Sequence, residues 1–369
     1  MTITAKKAYR ICIVSEQLAE GGAERCSAVL SNFFVANNCN VHHVVVIDKI
    51  EYQYSGEILN LGKLKKDSFS LSDRLLRFNV LRKFFTKNKF DFIIDTRVIN
   101  RQWQEFFIAK CIYNAPKIKM VHSFMTHLYF PKKSFLARNI YSSFDKIISV
   151  SQSIETKVQN EYSYKNTKTI YNPIDFNEID EKSSVKLDID FDYILAVGNM
   201  KSNVKQFDHL IECYSKSNLP IKKIKLIIIG EGRFKESHQE LVKSYNLESE
   251  IVFLGKINNP FPYYKKAFFT ILTSKNEGFP TVLLESLACQ TPVVTYDCQS
   301  GPNEIIQNNE NGILVENQNK QKLINSINEM IENKDLYLHC KSNARASVER
   351  FSLENIGNQW LQLFNDLSK

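Results

Sequence analysis

Two successive series of short apolar runs, separated by helix-compatible stretches, limit what this chain can fold into more than any other feature. The first series is Arg10 to Val14, Val41 to Ile47, Phe92 to Asp95, Ile118 to His122, Lys146 to Val150 and Thr167 to Tyr171. The second is Tyr193 to Met200, Lys223 to Gly232, Glu250 to Gly255, Ala267 to Leu272, Pro292 to Tyr296 and Gly312 to Val315. Runs this short and apolar read as strands buried on both faces, and strand alternating with helix predicts mostly parallel sheets covered by helices. The expected fold class is therefore α/β, with two Rossmann-like layers in 369 residues. The expected division is 1–175, 176–351 and a last amphipathic stretch, 352–369, packing back on the first domain. Residues 176–190, polar and acidic, read as a linker or crossover.

Open α/β sheets bind ligands beyond the carboxyl ends of their strands, so the loops there carry the candidate chemistry. Asn276 to Pro292 (NEGFPTVLLESLACQTP) places Glu277 in a Gly/Pro loop ahead of a short apolar helix and Glu285 within it. Pro280 suits the first turn, and the N–H groups from Gly278 to Leu283 are expected to face whatever lies before the loop, an arrangement that attracts phosphate. Glu285 lies among Val282, Leu283, Leu284, Leu287 and Ala288, where an unpaired carboxylate costs on the order of several kcal/mol; it requires a hydroxyl, amide or cation. Lys205 is read near the start of a helix from Val204 to Ser215, where ammonium and helix N–H groups form a phosphate or diphosphate site. In the first half, Gly21-Gly22 precedes a helix, His122 ends a strand, and Asp95 and Arg97 end another.

Charge is uneven. Residues 1–175 hold 26 Lys+Arg against 15 Asp+Glu, whereas the rest holds 22 against 25. Basicity is densest from Lys63 to Lys89, interleaved with Leu and Phe. That pattern fits an anionic membrane surface or anionic substrate, and equally a solvated lysine face over a core-facing stripe. No run approaches the roughly 20 apolar residues of a membrane span, the start reads without a signal peptide, and the eight cysteines show neither C-x-x-C nor metal-ligand spacing. The expected location is cytoplasmic, peripheral at the inner face of the membrane.

Taken together, strand-GGAER-helix, His122 after a strand, YNPID at 171–175, VGN with Lys205 six residues after Asn199, GEG at 230–232, and NEGFPTVLLESLACQTPVV resemble the retaining glycosyltransferases of family four, with the GT-B fold. The resemblance runs over nearly the whole chain; SGPNEI at 300–305 and NPFPYYKKA at 259–267 are most similar to bacterial enzymes of surface-polysaccharide assembly, such as O-antigen or capsule. It implies two Rossmann-like domains facing a central cleft, and transfer of a hexose or N-acetylhexosamine from a nucleotide sugar, UDP first among the candidates, to a glycan carried on polyprenyl diphosphate. Glu285 would hold ribose hydroxyls, and Glu277 the transferring sugar. Gly278, Phe279, Pro280 and Thr281 would offer N–H groups to sugar or diphosphate. Lys205 would neutralise the leaving diphosphate without a metal ion, Gly21 and Gly22 would let backbone approach diphosphate or acceptor, and His122 would lie near the donor sugar. Asn199 departs from the family, which has arginine there; Lys201, Arg233 or a first-domain cation would supply the second charge. A nucleotide-sugar-binding protein without transferase activity, a UDP-sugar epimerase and a nucleic-acid-binding protein are the alternative readings.

Overall fold

The β-branched and leucine-rich runs pair as parallel strands because their side chains are apolar on both faces, leaving helices to cover each side. A computed structural model describes residues 8–65 and 71–369; Lys66 of the basic run, and residues 1–7 of the stretch read for a signal peptide, lie outside them. The chain divides into two compact units, one running to Pro173 and taking in Leu353–Lys369, the other Ile174–Ser352.

The first unit runs β1 (Arg10–Ser15), α1 (Gly22–Ala36), β2 (Asn40–Val45), β3 (Glu57–Asn60), α2 (Leu71–Lys87), β4 (Phe92–Asp95), α3 (Gln102–Phe107), β5 (Lys117–Val121), α4 (Ser134–Tyr141), β6 (Lys146–Ser149), α5 (Gln152–Tyr162) and β7 (Thr167–Thr169). Its sheet is parallel in the order β3-β2-β1-β4-β5-β6-β7. β3 was not expected: it is a half-buried edge strand, EILN, with too little apolar patterning to stand out.

The second unit runs α6 (Phe176–Ser183), β8 (Tyr193–Val197), α7 (Phe207–Lys216), β9 (Lys225–Ile229), α8 (Lys235–Ser244), β10 (Ile251–Gly255), α9 (Phe261–Lys266), β11 (Thr270–Leu272), α10 (Thr281–Ala288), β12 (Val293–Tyr296), α11 (Pro302–Ile305), β13 (Gly312–Val315), α12 (Lys320–Glu332) and α13 (Lys334–Ser347). Its sheet order is β10-β9-β8-β11-β12-β13, again parallel. The segment read as a linker or crossover opens with α6. Asp175 caps it by accepting from the N–H groups of Asn177 and Glu178, and Arg345 grips Asp180 with both guanidinium nitrogens at 2.8 and 2.7 Å.

The chain then returns to the first unit as α14 (Leu353–Leu367). Its apolar face enters the core there: Phe364 stacks on Phe92 with ring centroids 4.6 Å apart, Trp360 meets Phe34 edge-on at 6.4 Å, and Asn365 Oδ1 accepts from the Tyr9 hydroxyl at 2.6 Å. Gly357 faces Phe33 so closely that a Cβ would fall 2.3 Å from the ring. Among the described residues no helix is long and apolar enough to cross a membrane. All eight cysteines are free thiols, Cys111 alone being exposed.

Candidate active site

In the second sheet β8 is flanked by β9 and β11, so the connections after β8 and β11 leave in opposite directions and open a crevice beyond the strand ends. The side chains of Lys205 and Glu277 meet there. Lys205 Nζ donates to Glu277 Oε1 at 2.6 Å, with the two side chains 16% and 13% exposed, and Ser274 Oγ donates to the same oxygen at 2.5 Å. Glu277 Oε2 has no bond to a described residue. The loops are stitched by Lys275 N–H to Val204 O at 2.8 Å and by the Thr273 hydroxyl to Lys205 O at 2.9 Å, while Glu277 N–H donates to Gln299 O at 2.7 Å. The loops that carry the ion pair are thus tied at three points.

Helix α7 begins at Phe207, later than the sequence reading put it, so Lys205 lies in the loop and not in a first helical turn. Gln206 takes left-handed dihedrals (φ 48°), fixed by two side-chain hydrogen bonds with Gln318 at 3.0 and 2.8 Å. Asn199 is exposed, and its Oδ1 accepts from Lys201 N–H at 3.3 Å. The loop after β9 zips onto this one: Met200 N–H donates to Glu231 O at 2.8 Å, and Phe234 N–H to Met200 O at 3.1 Å. Gly230 (φ +154°) makes this approach possible, since a Cβ there would stand 1.8 Å from Gly198 O. Arg233, exposed on the zipped loop with its guanidinium 5.1 Å from the Phe234 ring centroid, is therefore a cation on the loop adjoining Asn199.

Downstream of Glu277, Gly278 O accepts from Ser300 Oγ at 2.8 Å, and the buried Phe279 ring meets Phe351 edge-on at 5.2 Å. Pro280 occupies the cap position of α10 and Thr281 opens the helix. Leu283 N–H donates to Pro280 O at 3.1 Å and is already engaged, which removes it from the expected row of outward N–H groups. Glu285 is 7% exposed, and its Oε2 accepts from the buried Tyr264 hydroxyl at 3.1 Å. The partner its burial demanded is thus present within the chain.

In the first unit the corresponding crevice lies between β1 and β4, and a cleft of about 630 Å³ opens beside it. Arg97 grips Asp95 with Nη2–Oδ2 at 2.7 Å and Nε–Oδ1 at 3.2 Å, and reaches Glu105 at 3.1 Å. Lys119 Nζ adds 3.3 Å to Asp95 and 2.6 Å to Arg97 O, and the Tyr113 hydroxyl donates to Asp95 at 2.9 Å. Burial alone would raise the Asp95 carboxyl, but Arg97 and Lys119 outweigh it and hold it well below the usual range. Two buried acids and two buried cations leave this network neutral, as a low-dielectric site requires. Glu16, Asn100 and Gln104 face the same cleft with Arg74, Arg77 and Arg101; burial lifts the Glu16 carboxyl, partly offset by Arg97 and Lys119.

His122 follows β5 directly. Its ring nitrogens are covered with no well-formed hydrogen bond, Asn172 being the nearby polar side chain, and burial followed by the Lys119 charge pushes its pKa down to about 3. The imidazole is neutral at pH 7 and can give or take a hydrogen bond without carrying charge. Gly21 caps α1, its N–H donating to the Tyr52 hydroxyl at 3.1 Å, and Gly22 opens the helix. Sequence reasoning missed Ser274, Tyr264 and Glu16; serine, tyrosine and glutamate are common enough that only their long-range partners mark them.

The family model for glycosyl transferases group 1 matches residues 177–347. The chain is 29% identical over 356 residues, covering 94% of it and 96% of the relative, to the Campylobacter jejuni N-acetylgalactosamine-N,N'-diacetylbacillosaminyl-diphospho-undecaprenol 4-alpha-N-acetylgalactosaminyltransferase. It is 27% identical, over 97% of this chain and 99% of the relative, to the alpha-1,4-N-acetyl-D-galactosaminyltransferase of the same organism acting on GalNAc-alpha-(1->4)-GalNAc-alpha-(1->3)-diNAcBac-PP-undecaprenol. Among solved structures, Anabaena HepE in complex with UDP and glucose superposes with a TM-score of 0.78 at 20% identity, covering 97% of this chain and 100% of that one. With two parallel Rossmann-like sheets and relatives matched almost end to end, the chain is similar over nearly its whole length to GT-B glycosyltransferases of bacterial surface-polysaccharide type.

Proposed function

We propose that this glycosyltransferase moves a hexose or N-acetylhexosamine from a UDP-sugar to a glycan on polyprenyl diphosphate, with retention at the anomeric carbon. The observation that carries the reading is the Lys205–Glu277 pair at the switch point of the second sheet, with Glu277 Oε2 uncommitted. Lys205 supplies positive charge to the departing diphosphate, so the reaction needs no metal ion, and charge placed where charge develops is worth about 3–4 kcal/mol per donor. Arg233, on the loop zipped to Asn199, gives the second cation. Glu277 Oε2 takes a sugar hydroxyl, Glu285 the ribose, and the backbone of Gly278, Phe279, Pro280 and Thr281 the sugar or diphosphate. In the transfer step the bond from the anomeric carbon to UDP breaks, the acceptor oxygen bonds on the same face, and its proton passes to a donor phosphate oxygen.

The names of the two Campylobacter relatives state undecaprenyl-diphosphate acceptors, and HepE was solved with UDP. That support joins a physical one: the first unit carries a cleft lined by Arg74, Arg77 and Arg101, besides the paired Arg97, with hydroxyl-binding side chains next to them, which suits a sugar attached to a diphosphate. Gly21, Gly22 and His122 belong to this unit as backbone and neutral hydrogen-bonding contributions. The acceptor being membrane-borne, the enzyme works peripherally at the anionic inner face of the membrane, on the cytoplasmic side.

The test pairs thermal shift against UDP-, GDP- and ADP-sugars with transfer to a prenyl-diphosphate glycan, including a chelator arm. UDP-sugars stabilise by mass action, and K205A and E277A each lose transfer by more than about tenfold, 1.4 kcal/mol. Transfer within that margin in both variants refutes the assignment; UDP-sugar binding with no transfer in the unaltered protein supports a binding protein.

A further inference from the structure

The two helices that wall the acceptor cleft also show solvent a set of large apolar side chains. On α3, Trp103, Phe106 and Phe107 are 54%, 40% and 46% exposed; on α2, Leu75 and Leu76 are 63% and 47% exposed. Spacing of three and four residues puts the α3 trio on one face of its helix. The Phe78 and Phe107 rings meet edge-on at 6.4 Å, joining the helices, and Arg74 and Arg77 from α2 line the same cleft as Arg101 and Gln104. On α2 and α3 themselves the solvent-facing charge is basic, while exposed Asp48 lines the cleft beside them. Between residues 71 and 112 the acids are Asp73, Asp91, Asp95 and Glu105. Three are buried, and Asp91 carries a hydrogen bond from Arg10 N–H at 2.7 Å. Arg82, Lys83, Arg101 and Lys110 are exposed in the same stretch.

We infer that the α2–α3 face is a docking surface for an anionic lipid bilayer, with Trp103, Phe106 and Phe107 entering the interface and the surrounding arginines and lysines meeting lipid headgroups. Tryptophan and phenylalanine among basic side chains suit the boundary between headgroups and acyl chains, where apolar insertion and charge attraction act together. The surface rests on the acceptor reading for its purpose, since a prenyl chain held in a bilayer would deliver its diphosphate to the arginines behind the same helices. A protein partner with an acidic patch, or a second copy of the chain, would leave a different experimental signature.

The chain carries its own probe. It has two tryptophans, of which Trp360 is fully buried and Trp103 exposed. On adding phosphatidylglycerol-containing vesicles, emission shifts to the blue and is quenched by brominated acyl chains, W103F loses the shift, and W103S/F106S/F107S partitions at least about tenfold more weakly. Partition weakens with salt, and neutral phosphatidylcholine vesicles bind less. I221S, altering an exposed isoleucine of the second unit, changes neither, and the triple variant still glycosylates a water-soluble short-prenyl acceptor. Unshifted emission with unchanged partition of the triple variant overturns the proposal, as does equal binding to neutral and anionic vesicles or a self-association abolished by the triple substitution. Failure of transfer to the soluble acceptor by the unaltered protein counts against the proposed reaction and leaves the vesicle result standing.

Discussion

Acidification should weaken the first unit well before its carboxylates titrate, through two histidines held neutral by their surroundings. His43 lies fully buried in β2, with Nε2 3.2 Å from Ser55 O. A carbonyl can only accept, so Nε2 carries the hydrogen and Nδ1 is the basic nitrogen, buried without a partner. Charging it would place a cation in a dry site, and burial takes its pKa down to about 4; His122 falls to about 3. Both folded values are below the ordinary 6.5. The unfolded chain therefore binds more protons once the pH drops below about 6.5, and stability falls with pH until the folded values are reached. At pH 5 the loss is about 2 kcal/mol from each histidine, about 4 together. His42, lowered chiefly by burial, acts in the same direction. Both tryptophans belong to this unit, so urea unfolding followed by tryptophan emission between pH 7 and 5 reads it directly. H43L/H122N should flatten the slope even where its absolute stability is lower. A fall under about 1 kcal/mol in the unaltered protein, or the same slope in the double variant, refutes the reasoning.

Two substitutions test the packing. Gly357→Ala drives a methyl to within 2.3 Å of the Phe33 ring at the α1–α14 crossing; it should cost about 1–3 kcal/mol, seen as a lower unfolding midpoint by Trp360 emission, and an unchanged midpoint would show that the ring yields freely. Tyr264→Phe removes the hydroxyl that donates to Glu285. It should lower the stability of the second unit by about 1.5–3 kcal/mol, measurable as a thermal shift, with no change meaning that Glu285 is satisfied by other contacts.

The α/β class and the two strand series were legible because apolar runs buried on both faces leave a compositional mark. Departures occur where long-range contacts decide local shape. α7 starts at Phe207 because Gln206 is held left-handed by Gln318, 112 positions away, which no local propensity encodes. α6 opens the stretch read as a linker or crossover, held there by Asp180 pairing with Arg345, 165 positions away. β3 is an edge strand paired on one side, and half-burial erases the signal that marks central strands. At the site, each loop could be named from its Gly, Pro and charged residues, but not that Lys205 and Glu277 pair across 72 positions or that Ser274 shares their oxygen. The unit 1 cleft has no motif at all: Glu16, Arg77 and Gln104 become neighbours only once β1, α2 and α3 are assembled.

The return of α14 has a consequence for how the protein is made. Ile174 N–H donates to Phe351 O at 2.9 Å and Ile174 bridges Ser352, so the second unit enters and leaves at adjacent points, like a cassette spliced into the first. A ribosome completes that cassette while the first unit still lacks the helix bearing Trp360 and Phe364, leaving Phe34 and Phe92 uncovered through the synthesis of some 180 residues. The nascent sheet is therefore the aggregation-prone and chaperone-dependent part, although its strands emerge first.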